Sequence, residues 1–389
     1  MTSRYLALLF GSLTFLFVSR ACADDDPKLF LISQFGPNFP QPGSLQSGFI
    51  DETGKVVIPP TGDYMVTPKP GAPCFTEGLQ PVTTGMNPKW KPNSWGYLDP
   101  KGNFAIEPQF EQASEFSEGL AAAIGLKGPP WDRGYIDHTG KFIIAPQFDT
   151  ARPFSNGRAV VMKTGDWLNG AIDHDGKWIV PAQYPSMLDF HEGLAAVAKY
   201  VTPRDRPPGS MEQAPMVWGF IDTNGTQVID FKFNEPSSFS EGLAAINNNG
   251  ACGYIDKTGA YVIPPNFFMG WEFSEGVARV KTKDGKSAYI DKTGNVVFTV
   301  PGLTWAEPFS EGLAVAAIRD TTHHSPNGRL YGFIDHTGKF VITPTYFLTA
   351  SFHNGLAFVT GQGFAGYIDK TGRIVWQTKP PDMRALMGR

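Results

Sequence analysis

Between residues 116 and 146 three short apolar-rich runs, separated by turn residues, read as strands. Leu120 to Ile124 places Leu120, Ala122 and Ile124 on one face. Gly134 to Asp137 sets Tyr135 and Asp137 opposite Ile136. Lys141 to Ala145 forms a third run, predicted to stop at Pro146, which cannot donate to a ladder. Only His138-Thr139-Gly140 separates the second run from the third, which predicts a tight hairpin with its glycine in the left-handed position.

This unit is copied along the chain. A Gly-aromatic-Ile-Asp block starts nine times, at Gly48, Gly96, Gly134, Gly170, Gly219, Gly253, Ala288, Gly332 and Gly366. A second block, Phe-Ser-Glu-Gly-Leu-Ala, recurs eight times, with phenylalanines at 75, 116, 154, 190, 239, 273, 309 and 352, and the two blocks alternate strictly. Such periodicity describes one repeat domain, residues 24–377, followed by a tail over 378–389. The doubling back of each hairpin excludes a parallel β-helix. An all-β chain of antiparallel hairpins remains, read as a β-propeller of about eight small blades, with a hairpin solenoid as the alternative. Alanine follows the second block's Leu/Val/Arg position in seven of eight copies, which suits the crowded centre of a ring. The nine aspartates of the first block would also stand about 4.8 Å apart in a solenoid and repel one another. Whether the hairpin at 366–376 closes a ring onto Leu29–Ser33 is left open by the pattern.

Trp95-Gly-Tyr-Leu-Asp-Pro-Lys-Gly, followed by Glu107-Pro-Gln-Phe and Phe116-Ser-Glu-Gly-Leu-Ala, resembles the bacterial WG (KWG) repeat over essentially all of residues 29–377. The tryptophan that names the repeat stands only at Trp95 and Trp218, so the other copies are diverged. The resemblance implies a non-catalytic binding or scaffold module, often in exported bacterial proteins. It carries over no catalytic residue.

Composition adds compartment. Lys and Arg number 33 against 37 Asp and Glu, a formal net charge of −4, and this lacks the basic surplus that nucleic acid requires. Residues 1–23 read as a signal peptide: Arg4 precedes an apolar run from Leu6 to Val18, and Ala21-Cys22-Ala23 gives the small-x-small pattern of cleavage after Ala23. Removing that segment takes away Arg4 and Arg20 and no acid, leaving −6. A lipid-modified Cys22 is the rival reading. No stretch reaches the 18 apolar residues of a membrane span. The protein is thus expected to be periplasmic, cell-surface or extracellular, and monomeric. Cys74 and Cys252 fall in non-neighbouring repeats and are expected to stay unbridged as small apolar residues.

The candidate chemistry is sparse. The nine aspartates (51, 99, 137, 173, 222, 256, 291, 335 and 369) are expected to accept backbone N–H bonds across their own turns. The acids of the second block (77, 118, 192, 241, 275 and 311, with Asn156 and Asn354 substituting) read as solvated turn residues. His138, His174 and His336 fill one turn slot, His191 and His353 replace the serine of the second block, and all five read as surface substitutions. His323-His324 and the Asp173-His-Asp-Gly176 turn are weak metal candidates, so no metal or cofactor is expected. The central strands show Ala, Val and Ile, with singular acids only around Asp205 and Glu212. Connections of unequal length (83–94, 125–132, 199–217 and 319–330) emerge at one end and carry or adjoin Trp90, Trp131 and Trp167, while Arg204 and Arg206 lie in a proline-rich segment, 203–215. Exposed indoles stack on sugars or anchor partners, so these five residues are the expected binding set. The function expected is recognition of a protein or envelope glycan. A structural envelope protein or a carbohydrate-active enzyme is the alternative.

Overall fold

The computed structural model describes residues 27–35, 45–62, 64–66, 75–84, 93–126, 132–201, 215–248, 250–322 and 325–378. Trp90, Trp131, Arg204, Arg206, Ala23, Cys22, Cys74 and His323-His324 lie outside them. All regular structure in the described residues is antiparallel strand.

The sixth repeat shows the complete unit. Glu235–Pro236, Ala244–Asn248, Ala251–Ile255 and Tyr261–Phe267 form a four-stranded meander, each strand paired with the next. The second and third strands are buried on both faces, whereas the fourth alternates exposed and buried residues and forms the outer rim. Nine such blades follow one another, with third strands at Leu45–Ile50, Trp95–Leu98, Arg133–Ile136, Asn169–Ile172, Met216–Asp222, Ala251–Ile255, Ser287–Ile290, Arg329–Ile334 and Phe364–Asp369. They are blades 1 to 9 below. The repeat pattern thus yields nine blades rather than about eight. Blades 1 and 5 have three strands each among the described residues, beginning at Phe30–Phe35 and at Leu194–Tyr200.

Two expectations about strands are corrected. The third sequence run does not stop at Pro146: its strand continues over Phe142–Ala151, with a register jump between Ile144 and Phe148. The proline sits on the outer edge, where its missing N–H costs no ladder bond. Pro108, Pro181, Pro265 and Pro344 occupy the fourth strands of other blades. They blunt rims that otherwise expose Ile143, Val262 and Val341. The second correction is an additional strand inside the one expected to be innermost. Ala113 and Ala151, at the far ends of long rim strands, pair with Ala123 and Val161 and so open the next blade.

A register jump accompanies the block's glycine in blades 1 to 6 and 8; Gly366 of blade 9 has none, yet a Cβ there would still clash with the Trp376 carbonyl oxygen. In blade 6 Tyr254 pairs with Ile263 but Cys252 pairs with Phe267, so the fourth strand bulges over Gly253. A Cβ there would lie 2.5 Å from the Ile263 carbonyl oxygen and 2.8 Å from Pro265 N. In blade 7 the register runs on without a jump from Tyr289↔Phe298 to Ala288↔Thr299, and this copy carries alanine.

Blades join through the aromatic beside that glycine. The hydroxyls of Tyr97, Tyr135 and Tyr254 donate to carbonyls of Ser114, Arg152 and Trp271 in the following blade, at 2.7, 2.7 and 2.8 Å. The seam from blade 9 to blade 1 has its own version. Tyr367 donates to the Leu31 carbonyl at 2.8 Å, and Phe30, Ile32 and Ile50 share one core with Leu356 and Tyr367. The first and last blades therefore close the ring. The seven alanines that begin second strands are all buried, and pack into the seams against neighbouring aromatic side chains: Ala121 shares a core with Tyr97 and Phe116.

Candidate functional site

The meander sends the turns between strands one and two, and between strands three and four, to one end of the ring. The other connections go to the opposite end. The two ends are built differently.

The first end is uniform. Every aspartate of the Gly-aromatic-Ile-Asp block accepts N–H bonds from residues two and four further on, as Asp51 does from Thr53 and Lys55 at 2.9 and 3.0 Å. This bears out the turn role. The acids of the second block are not merely solvated. Glu77, Glu118, Glu192, Glu241, Glu275 and Glu311 all adopt positive φ. Each accepts the backbone N–H of the glycine in the next blade, as Glu241 does from Gly276 at 3.1 Å. Each also meets a basic side chain in the next blade's turn slot: His138, His174, Lys257, Lys292, His336 and Lys370, at 3.0 to 3.4 Å. Where Asn156 and Asn354 replace the acid, the corresponding slot holds Thr223 and Glu52 rather than a cation. The serine before the acid bonds across the same seam, as Ser240 does to the Phe273 carbonyl at 2.7 Å. His138, His174 and His336 stack on Phe116, Phe154 and Phe309, with ring centroids 4.0 to 4.3 Å apart. They are seam residues, not incidental surface substitutions. His353 is buried, and that burial favours its neutral form against the opposing pull of Glu311.

The opposite end is irregular. Trp167 stands there with 72% of its surface exposed, at φ 54°. Its turn is anchored by Gly165 N–H on Asp149 at 3.1 Å and by Thr164 Oγ1 on the Gln147 carbonyl at 3.0 Å. Tyr200, Val201, Phe268 and Met269 are exposed at the same end. Of the five residues expected to bind, Trp167 alone lies among the described residues, and it is presented to solvent as expected.

A further cluster lies on the inner strands. Arg279 stands directly across from Tyr289, a position held by Leu31, Pro81, Ala122, Val160, Ala196, Ala245, Val315 and Phe358 in the other blades. Its guanidinium carbon lies 3.5 Å from the centroid of Trp271 and 5.7 Å from that of Trp305. Burial holds the guanidinium below its ordinary pKa, opposed by Tyr289 and Tyr254. Burial also raises the carboxyls of Glu272 and Glu307; Glu307 accepts from Ser351 at 2.7 Å. Glu272, within the strand Met269–Ser274, corrects the expectation that singular acids are confined to the loop around Asp205 and Glu212; Glu115, Asp189 and Glu307 lie outside the strands. They went unread because the inner strand itself was not recognised. The readable signal was the lone arginine in a column of apolar residues.

Among the described residues no three His, Cys, Asp or Glu side chains are grouped to hold a metal ion. Cys252 is free and buried, and burial pushes its thiol up to about 12, so it packs as an apolar residue. No helix among the described residues is long and apolar enough to cross a membrane.

A family model described as "WG containing repeat" matches residues 48–65, 95–123, 134–167, 170–200, 218–251, 253–286, 288–320 and 331–360, more than half of the chain. Among solved structures, a eukaryotic initiation factor is similar with a TM-score of 0.52 at 10% identity, covering 92% of this chain and 96% of that one. That likeness concerns the fold alone. BamB from Moraxella catarrhalis (TM-score 0.38, 11% identity, 72% and 88% covered) and AztD from Citrobacter koseri (0.41, 12%, 78% and 92%) are more distant. No curated protein matches the chain.

Proposed function

The chain belongs to the WG-containing repeat family, and from that premise we propose that it is an exported, non-enzymatic recognition module that binds a protein or a cell-envelope glycan through the loop-bearing end of its ring. The supporting observation is the difference between the two ends. One end repeats the same Asp turn and inter-blade staple around the ring, which serves stability. The other carries unequal connections and the exposed Trp167 on an anchored turn. Variable loops on a rigid scaffold are the usual place for recognition. Export rests on the n-region, apolar run and Ala21-Cys22-Ala23 pattern of residues 1–23.

The test is a titration of the purified protein, followed by tryptophan fluorescence, against solubilised cell-wall fragments and a polysaccharide panel, with release of sugar products assayed in parallel. Saturable binding without product, weakened in Trp167→Ala, supports the proposal. Equal binding by wild type and variant across the panel and across protein partners counts against it. One observation favours a second reading, a carbohydrate-active enzyme: burial raises the carboxyls of Glu272 and Glu307 above their ordinary pKa. Product release that Glu272→Gln or Glu307→Gln abolishes would establish that reading instead.

A further inference from the structure

The seam between blades 7 and 8 carries the tyrosine but lacks the latch that the seams after blades 2, 3 and 6 possess. Tyr289 is the counterpart of Tyr97, Tyr135 and Tyr254, whose hydroxyls reach a carbonyl in the next blade. Its own hydroxyl is buried with no partner among the described residues. A buried orphan hydroxyl costs about 1–3 kcal/mol, so such a group marks a place where an acceptor belongs. Across from it stands Arg279, which makes no ion pair or hydrogen bond with any described residue, although half-buried charges are normally paired. The indoles of Trp271 and Trp305 lie against it, and Tyr289 and Tyr254 act on its charge. Stacking on Trp271 fixes the guanidinium plane and leaves its N–H edge free for a bidentate acceptor. Neither Glu272 nor Glu307 forms an ion pair with it among the described residues, and burial raises both carboxyls.

Three features of this seam depart from the repeat at once, Trp271, Arg279 and Trp305. The corresponding positions hold Ser114, Ala122 and Gln112 in blade 3. An unpaired guanidinium calls for an oxyanion, and flanking indoles call for a ring with an apolar C–H face. We propose that the seam between blades 7 and 8 is a binding site for an acidic saccharide, its carboxylate accepting from Arg279 and Tyr289 and its ring packing on Trp305. This site lies on the inner strands and goes beyond the loop-end reading, so either can fail without the other.

Two variants keep the fold intact because sibling blades already carry their residues. Arg279→Ala installs what blades 3, 5 and 6 have, and Tyr289→Phe what blades 1, 5 and 8 have. Calorimetric titration of the purified protein would use trigalacturonic acid, a glucuronate-containing hexasaccharide and N-acetylneuraminic acid. The methyl ester of trigalacturonic acid, acetate and inorganic phosphate serve as comparators. The expected result is saturable binding of at least one acidic sugar. Roughly 10- to 100-fold weakening is expected in Arg279→Ala and about 3- to 10-fold in Tyr289→Phe, with neither variant melting below wild type. Trp167→Ala should leave this binding intact. Silence across all three acidic sugars overturns the proposal. So does undiminished binding by Arg279→Ala, by the methyl ester, or equal affinity for acetate or phosphate, which would mark a bare anion site.

Discussion

Tyr367 donates its hydroxyl to the carbonyl of Leu31 at 2.8 Å, across 336 residues of chain. In blades 3 to 6, 8 and 9 the carbonyl corresponding to that of Leu31 accepts an N–H from the segment leading into the blade's second strand, as Ala122 does from Ser114 at 2.9 Å. Among the described residues blade 1 has no first strand, and the last blade's tyrosine supplies the missing donor. Ring closure and satisfaction of an inner-edge carbonyl are thus one contact.

Removing that hydroxyl should loosen closure specifically. Tyr367→Phe is expected to lower unfolding free energy by about 1–2 kcal/mol. It should also speed amide exchange in Phe30–Phe35 more than in any central blade. Tyr135→Phe, at an internal seam, should cost a similar amount without exposing the first blade. Denaturant melts and peptide-resolved exchange distinguish the two.

The Glu staple should tolerate one substitution and not another. Glu241 sits at φ 53°, bonded to Gly276 and paired with Lys292. Asparagine accepts the left-handed region and still reaches the glycine N–H, as Asn156 does to Gly193 at 2.7 Å. Glu241→Asn should therefore cost less than about 1 kcal/mol, since the ion pair it loses is solvent-accessible. Glu241→Val combines a β-branched strain with a lost acceptor and should cost about 2 kcal/mol or more. Thermal melts of the two variants decide this.

Glycine at the bulge should be more stringent than its neighbour in blade 7. Gly253→Ala drives a methyl into the Ile263 carbonyl and is expected to cost upwards of about 2 kcal/mol. Ala288→Gly meets no bulge and should cost only about 1 kcal/mol. Equal losses in urea unfolding would contradict the register explanation.

The Asp turns impose an acid limit. Asp369 is held down to about 2 from an ordinary 3.8, chiefly by the Thr371 hydroxyl, with Arg373 and two backbone N–H groups assisting against desolvation. Asp51, Asp137, Asp256, Asp291 and Asp335 are lowered too, each chiefly by the threonine two residues on. Because Asp369 is depressed in the folded state, its contribution is complete above about pH 4 and is lost as pH falls from about 4 through about 2, and the other five shift in the same direction. Thr371→Ala should be less stable than wild type at pH 7, and the gap should close by about pH 2. A gap independent of pH would show that the hydroxyl acts by packing alone.

Much of this was legible in the sequence. The two alternating blocks revealed the hairpin, its glycine and the Asp turn, because each recurs with its spacing intact. The inner strand was not legible. Glu235–Pro236 and Leu348–Thr349 are two residues long and lack alternation, and in blades 3 and 4 the inner strand is the far end of a rim strand that runs past a proline. Missing that strand hid Glu272, Glu307 and the two indoles beside Arg279. The staple was hidden for another reason: Glu241 and Lys292 are 51 positions apart, and only the ring brings them to 3.0 Å. Their matched changes, acid with cation and asparagine with an uncharged or acidic residue, were nevertheless present as a pattern across copies.

The division of labour between the two ends of the ring is tested most directly by hydrogen–deuterium exchange of the purified protein with and without solubilised cell-wall fragments. Protection confined to the loop-bearing end, including the turn around Trp167, is the expected footprint. Protection centred on the Asp turns and Glu staples, with the Trp167 turn unchanged, would contradict it.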